Sequence, residues 1–188
     1  MNEYVIKELT NEEFTTLSQD LSHQIFEDEG QIFKLFKIMN EEEVKMWKQL
    51  SSHTGTPLRI NLGMFKGDEF VGWSWGYQET AFKFYMCNSA ILPEHRKLGL
   101  YTRLMNEMIK RTIVLGFQEI YSRHTATNNA VIIPKLKAGF IITTMQISDV
   151  FGVLIHLNYF PNKLRQKMMD YRVGQIKPDV EIKELLGF

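Results

Sequence analysis

A length of 188 residues suits one domain with a sizeable core, and 44% hydrophobic side chains is the share of an ordinary globule. Lys+Arg and Asp+Glu number 22 each, so the net charge is zero and nothing overall argues for nucleic acid or an anionic membrane as partner. A single cysteine, Cys87, excludes an internal disulfide; its apolar strand setting reads as a buried, inert thiol rather than a nucleophile.

The opening MNEYVIKELTNEE carries charges where a signal peptide has an apolar core, and the longest apolar run, near Val150 to Leu157, is too short to span a bilayer. A cytoplasmic protein is the expectation. The charge balance is uneven along the chain: residues 1–58 hold 11 acidic and 5 basic side chains, residues 59–188 hold 11 and 17. A basic second part suits an anionic ligand and an acidic first part suits a cationic one. Helices with solvated Glu faces explain the latter equally well.

Tyr4 to Leu9 alternates as a strand. Thr10-Asn11-Glu12-Glu13 has the form of a capping box before Phe14, Leu17, Leu21 and Ile25 at helical spacing. Glu27-Asp28-Glu29-Gly30 reads as a loop. Ile32, Leu35, Phe36 and Met39 resume helical spacing, Asn40 to Glu43 is a second cap, and Val44, Trp47 and Leu50 follow it. Ser51 to Pro57 is linker-like. Leu58 to Phe65 and Phe70 to Tyr77 form a hairpin around Lys66-Gly67-Asp68. In its second strand Val71, Trp73, Trp75 and Tyr77 make a large stripe, predicted to be core. Gly72, Ser74 and Gly76 make a small one, open to the approach of another segment or simply solvent-facing.

Phe82 to Ile91 is the next strand, ended by Pro93, which removes a donor and pushes Leu92 out of helical geometry. The basic run His95-Arg96-Lys97-Leu98-Gly99 then leads into Leu100, Leu104, Met105, Met108, Ile109 and Ile113 at helical spacing. Strand, short basic loop with Gly, and helix together make an anion site, because free N–H groups and the helix dipole favour negative charge there. Neither G-x-x-x-x-G-K-[ST] nor G-x-G-x-x-G is present, which argues against a nucleoside triphosphate and a dinucleotide. Gly116 reads as a C-cap, Phe117 to Arg123 as a strand, Thr127-Asn128-Asn129 as a helix start, and Ala130 to Ala138 as a short helix closed by Gly139-Phe140. Ile141 to Ile147 and Val150 to Asn158 form a hairpin. Lys163 to Arg172 is a helix in a tail that packs on its own domain or on a partner subunit, which leaves a homodimer open.

The stretch from Ala90 to Tyr101 resembles the coenzyme A loop of the GNAT superfamily of N-acetyltransferases. That family writes Arg or Gln, two residues, Gly, one residue, then Gly or Ala. Here Arg96, Lys97, Leu98, Gly99 and Leu100 match, and Tyr101 stands where the small residue belongs. The order loop, helix, strand, Asn, short helix, Gly-Phe, strand also agrees. The resemblance is carried by residues 59–158 and extends to 1–57 by general layout.

It implies an α/β (α+β) fold: a mixed, mostly antiparallel sheet of about seven strands flanked by about four helices. Residues 1–158 would form the acyltransferase domain, with 1–57 toward the acceptor, 58–158 as the cofactor core and 159–188 as a C-terminal extension. It implies splayed fourth and fifth strands, acetyl-CoA as cofactor, no metal, and an amine acceptor, a small molecule or a peptide.

By the same resemblance the backbone N–H groups of Arg96, Lys97, Leu98, Gly99, Leu100, Tyr101 and Thr102 hold the pyrophosphate. The peptide groups of Ala90, Ile91 and Leu92 pair with the pantetheine arm, and Ile91 N–H polarises the thioester carbonyl. Asn128 aligns with the family's Asn, and Lys135 stands where a Tyr often serves as acid. His124, with a reference pKa of about 6.5, and Glu79 are the candidate bases. For each, and for Lys135, an ordinary solvated or hydrogen-bonded side chain is the competing expectation. Glu27, Asp28, Glu29, His156 and Tyr159 are candidates for acceptor binding. The reading is direct acyl transfer in a ternary complex, since no convincing nucleophile is present; the alternative is a non-catalytic acyl-CoA-binding module.

Overall fold

The computed structural model describes residues 4–25 and 35–188. Strand β1 (Tyr4–Glu8) and helix α1 (Asn11–Ile25) are followed by α2 (Glu41–Ser51), β2 (Arg59–Lys66), β3 (Glu69–Gln78), β4 (Lys83–Ile91) and α3 (Leu100–Val114). Then come β5 (Glu119–Thr125), α4 (Asn129–Lys137), β6 (Ile141–Ser148), β7 (Gly152–Tyr159), α5 (Lys163–Arg172) and α6 (Val180–Leu186). The sheet runs β1-β2-β3-β4-β5-β7-β6, with β4 and β5 parallel and the other described pairs antiparallel. This is the mixed sheet expected, with the four flanking helices and the tail helix α5 as foreseen and α6 added to them.

The caps form as read. Thr10 N–H donates to Glu13 Oε2 at 2.8 Å while Glu13 N–H donates to Thr10 Oγ1 at 3.2 Å, and Asn40 with Glu43 repeats the device before α2. Of the helical spacing read from Ile32 to Met39, Leu35–Lys37 is a 3-10 turn, and the residues before it lie outside those described. Ser51 to Pro57 likewise contains a 3-10 turn, Ser52–Thr54.

Two apolar layers sandwich the sheet. On one face α3 sets Leu104, Met105 and Met108 against Leu62, Met64, Phe84 and Leu157. On the other, α1 covers Phe65, Phe70, Trp73 and Ala90 with Phe14. Fully burying one such side chain contributes about 1.5–3 kcal/mol, so these layers dominate the fold's stability.

Strict alternation fails at Val71. Phe65 pairs with Phe70 but Met64 pairs with Gly72, which leaves Val71 as an extra residue and turns it into the α3 layer. A one-residue bulge flips the side chain to the other face, so Val71 and Trp73 part company. The small stripe admits a neighbouring strand. A Cβ on Gly76 would lie 2.3 Å from Tyr85 O, and one on Gly72 would lie 2.6 Å from Ala90 O.

A second bulge sits on β4. Trp75 pairs with Asn88 and Gly76 with Met86, so Cys87 is the unpaired extra. At that point β4 leaves β5: their ladder covers Lys83 to Tyr85 against Glu119 to Tyr121 and then stops. The bulge adds local twist, and the strands splay beyond it. The tail packs on its own chain. Ile182 of α6 is fully buried, Arg165 of α5 donates to Gln118 O at 2.8 Å, and Lys167 pairs with Asp179 and Glu181 at 2.5 Å each.

Candidate active site

The turn into α3 is braced from behind. Buried His95 meets Tyr4 OH through Nδ1 at 3.0 Å, Arg103 Nη2 donates to Tyr4 O at 2.9 Å, and Arg96 Nε donates to Ile91 O at 3.0 Å. Lys97 and Gly99 both have positive φ, 63° and 75°, so the chain curls and its N–H groups turn outward together. Arg96 N–H is taken by Pro93 O at 3.2 Å, and helical bonding resumes with Arg103 N–H donating to Gly99 O at 3.1 Å. Between them the N–H groups of Lys97, Leu98, Gly99, Leu100, Tyr101 and Thr102 have no partner among the described residues. These six donors at a helix N-terminus make an anion cradle. Arg96, expected among the cradle donors, instead contributes its side chain as a brace.

Behind the cradle, the splay opens a cavity of about 570 Å³. Its lining comes from both faces of the sheet. Tyr101, Asn128, Val131 and Lys135 reach it from the α3 and α4 side, while Trp75, Tyr85 and Arg123 reach it from the opposite face. The gap therefore passes through the sheet. Leu92 N–H donates to Val71 O at 2.9 Å, so the alternation of an antiparallel ladder turns Ala90 and Leu92 toward β3 and the Ile91 N–H toward the splay. Of the three strand residues expected to face a ligand, Ile91 has the outward donor. Ser89, two residues back on the same edge, was missed.

Asn128 caps α4 without a side-chain bond to it and lines the cavity. Lys135, for which an exposed position was the plainer expectation, is buried at 2% exposure. Its Nζ lies 3.6 Å from Met86 Sδ and 4.4 Å from the Phe140 ring centre. Burial, with no carboxylate beside it among the described residues, pushes the ammonium down to about 7. Helical periodicity puts Lys135 three residues from buried Ile132, on the inward face of α4.

His124 also borders the cavity, with Nε2 2.9 Å from Ser122 Oγ. Burial, and then the charge on Lys135, push its pKa down to about 3. Such an imidazole stays neutral near pH 7 and is a weak base, contrary to the role expected of it. Glu79 is exposed at the end of β3 and accepts a hydrogen bond from Tyr121 OH. Tyr121 in turn stacks on Tyr85, centroids 5.0 Å apart, and on His156 at 6.1 Å. Burial and the bond to Glu79 raise the Tyr121 pKa.

His156 meets Gln146 Oε1 at 2.8 Å, and burial and Arg123 lower its pKa. Glu79, Tyr121 and His156 thus gather on the face away from α3. Tyr159 does not join them. Three residues beyond His156 on one strand, it faces the other way and packs on Phe140 at 5.4 Å. Glu27, Asp28 and Glu29 lie outside the described residues. Burial raises the Cys87 thiol to about 11, against the pull of Arg123 and Arg59, so it is no thiolate nucleophile.

Sequence reasoning missed Trp75, Tyr85 and Arg123 as cavity-lining residues, and Tyr121 stacked behind Tyr85. Alternation places Tyr121 with Arg123 on one face of β5, but which strand lies beside β5 is not written locally.

The GNAT acetyltransferase family model matches residues 10–140 of the chain. None of the curated proteins compared matches it by sequence. Among solved structures, yncA of Salmonella typhimurium, solved with its cofactor acetyl-CoA, superposes with a TM-score of 0.62 at 12% identity, covering 85% of this chain and 94% of that one. A GNAT family acetyltransferase from Elizabethkingia anophelis with acetyl-CoA bound gives 0.60 at 13%, covering 85% and 99%. The ribosomal-protein-S18-alanine N-acetyltransferase of Escherichia coli gives 0.57 at 16%, covering 84% and 93%. With the loop-to-helix cradle and the splayed strand pair behind it, the matched family model shows that the chain belongs to the GNAT family of acetyltransferases.

Proposed function

We propose that the chain moves an acetyl group from acetyl-CoA directly to an amine, both held at once in the splay between β4 and β5. The observation that carries this reading is the cavity's double access: on its α3 side it reaches Tyr101, one of the six cradle residues whose N–H groups have no partner among the described residues, and its other side opens among Trp75, Tyr85 and Arg123. Acetyl-CoA supplies the activated acyl group as a thioester. Its diphosphate fits the Lys97 to Thr102 cradle, because the donors are many and no carboxylate lines the cavity among the described residues. The Ile91 N–H is the donor aimed at charge that develops on the carbonyl oxygen, and Asn128 meets the arm between.

The amine enters from the opposite face. Glu79, tied to Tyr121, is the proton acceptor on that side, in preference to His124. Lys135 holds the proton for the departing sulfur, in the place where the family often has Tyr. An ammonium titrating at about 7 gives up its proton far more readily than one at the ordinary value of 10.5. Residues 1–158 form the acyltransferase domain, with 58–158 as the cofactor core and 159–188 packed on it. The acceptor is a small molecule or a peptide.

The test is a titration of acetyl-CoA followed by Trp fluorescence, then thiol release across an amine panel. Saturable binding with acceptor-dependent release is expected. Binding that survives Gly99→Asp, whose carboxylate would meet the diphosphate, would remove the cradle from the argument.

A further inference from the structure

Four arginines near the sheet have evident tasks. Arg111 and Arg165 pair with carboxylates, and Arg96 and Arg103 donate to main-chain carbonyls. Arg59 and Arg123 do neither. The Arg123 guanidinium, half-buried in the cavity wall, lies 4.6 Å from the Tyr85 ring centre. The Arg59 guanidinium lies 4.1 Å from the Trp75 ring centre and 5.2 Å from that of Phe14, with its Nε donating to Asn61 Oδ1 at 2.7 Å. Neither forms an ion pair among the described residues. A guanidinium resting on a ring spends its face on the π-system and keeps its in-plane N–H edge for an acceptor; Arg123 gives part of that edge to the Tyr85 hydroxyl and has further donors left.

Both rings stand on the acceptor side of the splay, on neighbouring strands. Arg59 and Arg123 also both act on the thiol of the bulged Cys87 that lies between them. Two fixed, unneutralised guanidiniums flanking an aromatic floor repel a polycation and match a planar carboxylate. We propose that Arg59 and Arg123 form a carboxylate clamp, and that the acceptor is an amino acid or a related amino-carboxylate with an apolar or aromatic body. The amine of such a molecule lies on the Glu79 side, and its body lies over Trp75 and Tyr85. The clamp rests on the acetyl-transfer reading above and narrows it.

Thiol release from acetyl-CoA by the full chain is compared for L-phenylalanine against phenethylamine, L-leucine against isopentylamine, and spermidine. The carboxylate-bearing member of each pair is expected to win by about tenfold to a hundredfold in kcat/KM, the span of a hydrogen bond to a charged group. Arg123→Gln and Arg59→Gln are expected to bring that ratio close to one, chiefly through KM. Calorimetric titration of the same amines into the coenzyme A-loaded protein gives a second reading that needs no turnover. Acetyl-CoA binding with spermidine or the decarboxylated amines preferred overturns the clamp and leaves acetyl transfer standing. So does an equal loss on both series in the Gln variants, or no binding of L-phenylalanine or L-leucine to the loaded protein. A chain that does not bind acetyl-CoA overturns both.

Discussion

Lys135 has no carboxylate beside it among the described residues and is held against a thioether and a ring. Its pKa near 7 lies below the value of about 10.5 in an unfolded chain, so the unfolded state binds more protons between those two pH values. Stability therefore rises as pH climbs from about 7 toward 10.5, and the destabilisation is fully present below 7. Lys135→Met is expected to stabilise the fold by a few kcal/mol at pH 6 and by much less at pH 10.5, measured by urea unfolding at the two pH values. The same variant is expected to slow thiol release by about 100-fold or more if the ammonium is the proton donor. In the wild type, kcat should fall as pH rises past 7, and Lys135→Tyr should move that fall upward. His124 shows the same sign in a lower pH window. Its pKa of about 3 against roughly 6.5 unfolded removes stability as pH drops between those values, so His124→Gln should flatten the acid limb of the stability curve.

At the scale of elements, the site is a matter of two turns and two bulges. Gly99 has open space where a Cβ would sit, so Gly99→Ala meets backbone strain alone, about 1–2 kcal/mol, and should leave acetyl-CoA affinity within a fewfold of wild type. Gly99→Asp shares that strain but adds charge, and its affinity should collapse. Comparing the two by fluorescence titration separates geometry from electrostatics. Gly76 is the opposite case. A methyl group there would press on Tyr85 O and the Phe84 ring, at the bulge that starts the splay. Gly76→Ala is expected to destabilise by about 2–4 kcal/mol in thermal or denaturant unfolding, and an unchanged midpoint would refute the tight approach of β3 to β4.

Across the whole molecule, the tail belongs to the domain. Ile182 is fully buried, so Ile182→Ala should cost about 2–5 kcal/mol by denaturant unfolding, whereas breaking the solvent-facing Lys167 pairs with Asp179 and Glu181 should barely move the unfolding midpoint. The element order as far as α5, the caps at Thr10 and Asn40 and the cradle opening α3 were legible in the sequence, because they follow from contacts a few residues apart: a Pro that ends a strand, side chains that satisfy nearby N–H groups, a Gly that permits positive φ. Tertiary pairing alone decided that Val71 leaves the stripe of Trp73, that Cys87 is squeezed out of register, and that Lys135 is buried rather than solvated. It alone brought Arg123 to the gap and Arg59 behind Trp75 in its wall, from strands far apart in the chain. A bulge is a misfit between two strands and a pKa is a sum over whatever packs around a group, so neither is a property that one stretch of residues carries by itself.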